Sequence, residues 1–166
     1  MEDIVFRDTP IPSDAARIGE IVGGTGFFRP DEITVAVELV EERLAKGIDS
    51  GYYFWFADIA GSPAGYVCFG PTPCTIGSFD LYWIAVDKER QGLGLGMRLC
   101  ALAEETARTM GGRGMYVETS GKESYLPTQR FYEKAGYQKA AELPGFYDVD
   151  DAKIIYSKPL KEGTGA

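Results

Sequence analysis

The stretch from Phe79 to Met110 constrains this chain most. It opens as an apolar strand, Phe79-Asp80-Leu81-Tyr82-Trp83-Ile84-Ala85-Val86, and passes through a polar link, Asp87-Lys88-Glu89-Arg90. It then turns at Gln91-Gly92-Leu93-Gly94-Leu95-Gly96 and enters a helix-forming run from Met97 to Met110. Strand, glycine-rich turn and helix start, in that order, make a device for holding phosphate. Glycine lets the backbone approach a ligand, and several N–H groups converge with the positive end of the helix dipole behind them. An anionic cofactor is therefore expected at this turn. The spacing excludes two familiar phosphate loops. Gly-x-Gly-x-x-Gly would place its last glycine at Met97 or Leu99, and a Walker loop would end in Gly-Lys-Ser/Thr.

What remains is Gln/Arg-x-x-Gly-x-Gly, met by Gln91, Gly94 and Gly96 behind a strand ending Ile84-Ala85-Val86-Asp87. This resembles the acyl-CoA loop of the GNAT superfamily of N-acetyltransferases. A second stretch, Phe131-Tyr132-Glu133-Lys134-Ala135-Gly136-Tyr137, is similar to the family's Phe/Leu-Tyr-x-x-x-Gly-Phe/Tyr signature. The resemblance covers Ile4 to Leu160 in its order of elements, and its specific part is confined to Leu81–Gly96 and Phe131–Tyr137. It implies an α/β (α+β) fold with a central mixed, mostly antiparallel sheet, splayed at two parallel strands, and helices on both faces. It also implies acetyl-CoA as acyl donor and no metal. The plain alternative is a glycine-rich turn without a ligand.

At 166 residues the chain is expected to form one domain, 1–166, with 163–166 fraying. A hydrophobic content of 45% sets it among globular chains rather than disordered ones. The net charge of −8 argues against a nucleic-acid partner and is compatible with a cationic amine. No charged-then-apolar leader and no membrane-length apolar run is found, so a soluble cytoplasmic protein without a membrane partner is expected. Cys68, Cys74 and Cys100 show no disulfide or metal spacing, and Cys68 and Cys100 read as core. There is no histidine, which excludes Ser-His-Asp and Cys-His catalysts and most zinc sites. Proton transfer must then fall to carboxylate, tyrosine, lysine, cysteine or water.

The pattern predicts strands at Ile4–Arg7, Tyr52–Asp58, Ala64–Phe69, Phe79–Val86, Met115–Thr119, Tyr137–Leu143 and Lys153–Lys158. It predicts helices from a Ser13 cap to Val22, from an Asp31 cap to Lys46, from Met97 to Met110, and from Pro127 to Gly136. Ile59–Pro63 reads as a short hairpin loop and Pro144–Asp151 as a turn-rich loop.

The resemblance implies roles. The backbone of Ile84, Ala85 and Val86 would pair with the pantetheine arm. The N–H groups from Gly92 through Leu93, Gly94, Leu95 and Gly96 to Met97, with Gln91 leading the loop, would take the diphosphate. Side-chain changes at Leu93 or Leu95 are expected to matter less than bulk at Gly94 or Gly96. Tyr132 would protonate the leaving thiolate, the alternative being a core tyrosine. An alkylammonium must lose a proton before it attacks. Glu118 is the leading base, or else a solvent-facing strand residue or ion-pair partner. Asp80 is the runner-up. The family's asparagine seven residues before the tyrosine is here Tyr125, so that carry-over fails, with Thr128 or Ser124 as substitutes. Phe27, Phe28, Tyr82, Phe146 and Tyr147 would wall an acceptor pocket or form core. The expected activity is acetyl transfer to a primary amine of a small molecule or peptide by direct attack, and the resemblance admits a homodimer. The alternative is a non-catalytic acyl-CoA-binding regulatory module. A hydride-transfer protein is disfavoured by the failed dinucleotide spacing.

Overall fold

The computed structural model describes residues 2–160. The elements, in chain order, are β1 (Ile4–Arg7), α1 (Asp14–Gly24), α2 (Pro30–Lys46), β2 (Tyr53–Ile59), β3 (Ser62–Pro71), β4 (Ser78–Val86), α3 (Leu95–Thr109), β5 (Gly114–Ser120), α4 (Leu126–Lys134), β6 (Gln138–Asp148) and β7 (Asp151–Pro159). The strands form a seven-stranded sheet in the order β1-β2-β3-β4-β5-β7-β6. The β4–β5 pair is parallel, whereas β1–β2, β2–β3, β5–β7 and β6–β7 are antiparallel. The mixed, mostly antiparallel sheet expected from the sequence is the one observed.

By contacts the chain divides into two units. The first holds the residues up to Gly70 together with Trp83–Ala103, and the second holds Pro71–Tyr82 together with the chain from Glu104 onward. In the first unit, α1 and α2 bring Ile18, Ile21, Val22, Ala36 and Val40 onto Phe54, Phe56, Tyr66 and Cys68 of β2 and β3. Burying one such aliphatic or aromatic side chain stabilises the fold by roughly 1.5–3 kcal/mol. Successive strand side chains point to opposite faces. Tyr66 joins the α1–α2 cluster, while Gly65 faces Leu99 of α3. Helices therefore cover both faces of this unit's strands.

In the second unit Tyr132 of α4 packs against Tyr137 and Tyr156, with ring centroids 5.7 and 6.0 Å away. Buried Glu104 ties this cluster down. Lys158 Nζ donates to Glu104 Oε1 at 2.6 Å and to the Ala135 carbonyl at 2.8 Å, and Tyr137 Oη donates to Glu104 Oε2 at 3.1 Å. Lys158 thereby satisfies a carbonyl at the end of α4, where Gly136 turns the chain at φ +95°.

Several boundaries differ from expectation. Ser13 is helical in backbone and makes no capping bond. The Asp14 carboxylate instead accepts the Ile11 N–H at 2.8 Å and two bonds from Arg7 at 2.7 Å. Arg29, not Asp31, is the N-cap of α2, because Pro30 supplies the preset first helical position. The hairpin between β2 and β3 needs only Ala60 and Gly61, both at positive φ, so the strands run on through Ile59 and Ser62. Helix α3 starts at Leu95 rather than Met97. Pro144–Asp148, expected as loop, belongs to β6, whose pairing with β7 shifts between Leu143 and Asp148. The expected fraying tail, 163–166, lies outside the described residues.

Candidate active site

The glycine-rich turn is built from its base upward. The β2–β3 register slips between Ala57 and Asp58 of β2, which oppose Gly65 and Pro63 of β3 and leave Ala64 as the extra residue. Such a bulge tolerates a proline and leaves carbonyls free of the ladder. Two of them are used at once. The Pro63 carbonyl accepts from Arg17 Nε at 2.9 Å, and the Ala64 carbonyl accepts the Asp87 N–H at 2.7 Å. Arg17 also pairs with the Asp87 carboxylate, whose other oxygen accepts the Glu89 N–H at 3.0 Å. The Glu89 N–H, with Arg17 behind it, holds the Asp87 carboxyl below its ordinary range. The start of the turn is thus tied to β3 and α1.

Beyond this anchor the backbone opens. Gly92 and Gly94 stand at φ +86° and +72°, and a Cβ built on either meets nothing within 4 Å. Gln91, Gly92, Leu93 and Gly94 are exposed, and Leu95 is buried. Leu95, Gly96 and Met97 form the first turn of α3, where N–H groups have no partner inside the helix. The first helical bond runs from the Arg98 N–H to the Gly94 carbonyl at 3.2 Å. An exposed turn backed by first-turn amides, with free space where side chains would project, fits a diphosphate. Leu95 is core, so its side chain matters to folding where a backbone role alone was expected.

The strand leading into this turn also fits. The parallel ladder of β4 with β5 runs from Ser78↔Gly114 to Leu81↔Val117 and ends there, although β4 continues to Val86. Gly65 accounts for the close seat of the strand end. A Cβ at that position would lie 3.1 Å from the Ala85 carbonyl and 3.3 Å from Val86 Cγ2. Ile84 and Val86 are half-buried and Ala85 is buried.

Tyr132 is buried at 4% exposure, within an aromatic cluster that includes Phe131 at 5.3 Å. Glu118 projects from the half of β5 beyond the ladder, and its Oε2 lies 2.8 Å from Lys153 Nζ. That ion pair is the alternative set beside its role as base. Asp80 accepts from Thr72 Oγ1 at 2.8 Å. Tyr125 is the N-cap residue of α4. The end of β5 is fixed by Ser120, whose carbonyl accepts from Gln129 Nε2 at 3.0 Å and whose hydroxyl donates to Asp151 Oδ1 at 2.5 Å. Of the five aromatics expected to wall a pocket, Phe28 packs edge-on to Trp83 at 4.8 Å, and Phe146 edge-on to Tyr147 at 5.1 Å. Phe27, Tyr82, Phe146 and Tyr147 are exposed, which removes the core reading for those four.

Sequence reasoning missed Arg17, Gly65 and Lys153. Gly65 within the apolar run Ala64–Phe69, with Pro63 just ahead of it, was the available signal for a close backbone approach. Among the described residues no group of three or more His, Cys, Asp or Glu side chains is placed to hold a metal, and no helix is long and apolar enough to cross a membrane.

Comparison with known proteins decides the family. The family model described as an acetyltransferase (GNAT) domain matches residues 50–139, over half of the chain. The chain belongs to the GNAT family of acetyltransferases. An uncharacterized N-acetyltransferase of Methanocaldococcus jannaschii is 31% identical over 117 residues, which span 66% of this chain and 69% of that one. A crystal structure assigned to the GNAT acetyltransferases, from Desulfovibrio desulfuricans, is 47% identical. It superposes with a TM-score of 0.94 over 96% of this chain and all of that one. An aminoglycoside 6′-N-acetyltransferase complexed with coenzyme A shares the fold at a TM-score of 0.76 and 18% identity, over 95% of this chain and 98% of that one. This GNAT chain carries the glycine-rich turn at Gln91–Gly96 and a β4–β5 ladder that stops at Leu81.

Proposed function

We propose that the protein transfers acetyl from acetyl-CoA to a primary amine of a small molecule or peptide, by direct attack in a ternary complex. The observation that carries this reading is the exposed turn at Gly92–Gly94, with its positive φ values, its empty Cβ positions and the first turn of α3 behind it. The residues of the turn, with Gln91 and Met97 at its ends, hold the diphosphate through main-chain amides. The backbone of Ile84, Ala85 and Val86 pairs with the pantetheine arm. Bound acetyl-CoA supplies the acetyl group as an activated thioester. Tyr132 holds a phenolic proton on Oη for the departing thiolate, and Glu118 takes a proton from the ammonium of the acceptor. The N–H groups near Val86 favour the developing charge on the acyl oxygen.

Direct attack is supported by what the cysteines look like. Burial pushes the Cys68 thiol well up and Cys100 is buried, which disfavours both as activated nucleophiles and leaves Cys74 as the exposed thiol. The description of the Methanocaldococcus relative as an N-acetyltransferase supports nitrogen as the acceptor atom. The test is thiol release from acetyl-CoA across a panel of amines, with the acetylated product identified by mass. Acetylated amine formed with thiol in equal amount is expected. Coenzyme A binding without turnover on any amine would instead support the regulatory module.

A further inference from the structure

Glu118 and Lys153 are diagonal neighbours across the β5–β7 ladder, in which Glu118 stands opposite Ile155 and Ser120 opposite Lys153. Lys153 Nζ lies 2.8 Å from Glu118 Oε2 and 3.9 Å from the centroid of the Phe146 ring. The Lys153 side chain is only 13% exposed, whereas that of Glu118 is 53% exposed and open to a second partner. A carboxylate and an aromatic face around one ammonium is the chemistry that recognises an alkylammonium ligand. Here the ammonium is the chain's own, and it pairs with the carboxylate proposed to meet the acceptor.

We propose that Lys153 is a resident stand-in for the ammonium of the acceptor. Glu118 and Phe146 form a cation subsite that Lys153 fills until a cationic acceptor displaces it. This rests on the acetyl-transfer reading and deepens it in two ways. The acceptor class is an alkylamine without a carboxylate beside the amine, because such a carboxylate would be driven against Glu118 by like charge. Lys153 sets acceptor affinity, because two ammonium groups repel at one carboxylate. It is a specificity-determining residue and takes no part in bond making.

The test uses the full chain, cadaverine as the diamine probe and lysine as the same skeleton with a carboxylate beside one of its two amines, the acetylated nitrogen being identified from product fragmentation. Lys153→Met keeps the aliphatic stem and removes the charge. Its KM for cadaverine should fall by at least about 5-fold, the signature of a ground-state competitor removed. Acetylation at the α-amine of lysine should gain less, Lys153→Arg should keep the wild-type KM, and Phe146→Leu added to Lys153→Met should raise KM again. Lys153→Gln serves if Lys153→Met does not fold. A KM for cadaverine that is unchanged or higher in an active Lys153→Met or Lys153→Gln overturns the inference and leaves the acetyl-transfer reading standing. No thiol release by the wild type with any amine overturns both.

Discussion

Gly94→Val separates backbone strain from loss of a ligand cradle. Gly94 stands at φ +72° with nothing within 4 Å of a built Cβ, so the substitution meets no clash in the free protein. Its cost is conformational, about 1–2 kcal/mol for an L residue held in the left-handed region, at the upper end for a β-branched one. For a chain of this size that lowers Tm by roughly 4–8 °C. Gly61, in the β2–β3 hairpin, has φ +77° and the same empty surroundings, so Gly61→Val should cost about as much. The two must part company in binding. A charge-assisted N–H bond to phosphate is worth roughly 1.5–3 kcal/mol, so losing one weakens coenzyme A by about 10- to 100-fold. Calorimetric titration with coenzyme A should show that loss for Gly94→Val and none for Gly61→Val, at matched stability. Wild-type affinity in Gly94→Val would refute the cradle.

Three further outcomes follow from the geometry. Tyr132→Phe should lower kcat by about 10- to 10⁴-fold with little change in coenzyme A affinity, and full turnover in that variant removes its role as acid. Tyr66 Oη is buried with no hydrogen-bond partner, and burial pushes its ionisation well up. Deleting it in Tyr66→Phe removes a desolvated hydroxyl, so urea unfolding should show stability unchanged or raised by about 1 kcal/mol, and a clear loss would contradict the orphaned hydroxyl. The folded-state pKa of Asp87 is depressed below 3.8 by the Glu89 N–H and then by Arg17. Its contribution is therefore present above pH 3.8 and is lost as pH falls through the lower folded value. Asp87→Asn should be less stable at neutral pH and should flatten the acid limb below 3.8, whereas an acid limb like the wild type's would count against the pairing.

The turn was legible because glycine spacing after an apolar strand leaves few alternatives, and the order of elements followed from hydrophobic period and punctuation. What lay hidden depended on tertiary partners. Arg17 reaches Asp87 across 70 positions of sequence, a pairing that no local pattern announces. Pro63 reads as a loop residue, yet a bulge lets it sit in a strand and frees the carbonyls that hold the turn. Pro144 and Gly145 read as a turn, but β6 pairs with β7 along Gln138–Leu143 and again at Asp148, passing over them. Glu118 was a candidate from its place on β5, whereas Lys153 is visible only once β7 lies alongside.

In the proposed function, main-chain amides at the start of α3 grip the diphosphate. Backbone amide spectra recorded during a coenzyme A titration test it most directly. The signals of Gly92, Gly94, Gly96 and Met97 should move furthest and saturate together, while Gly61 stays still. Signals at Gly92–Met97 that remain in place as coenzyme A binds would contradict it.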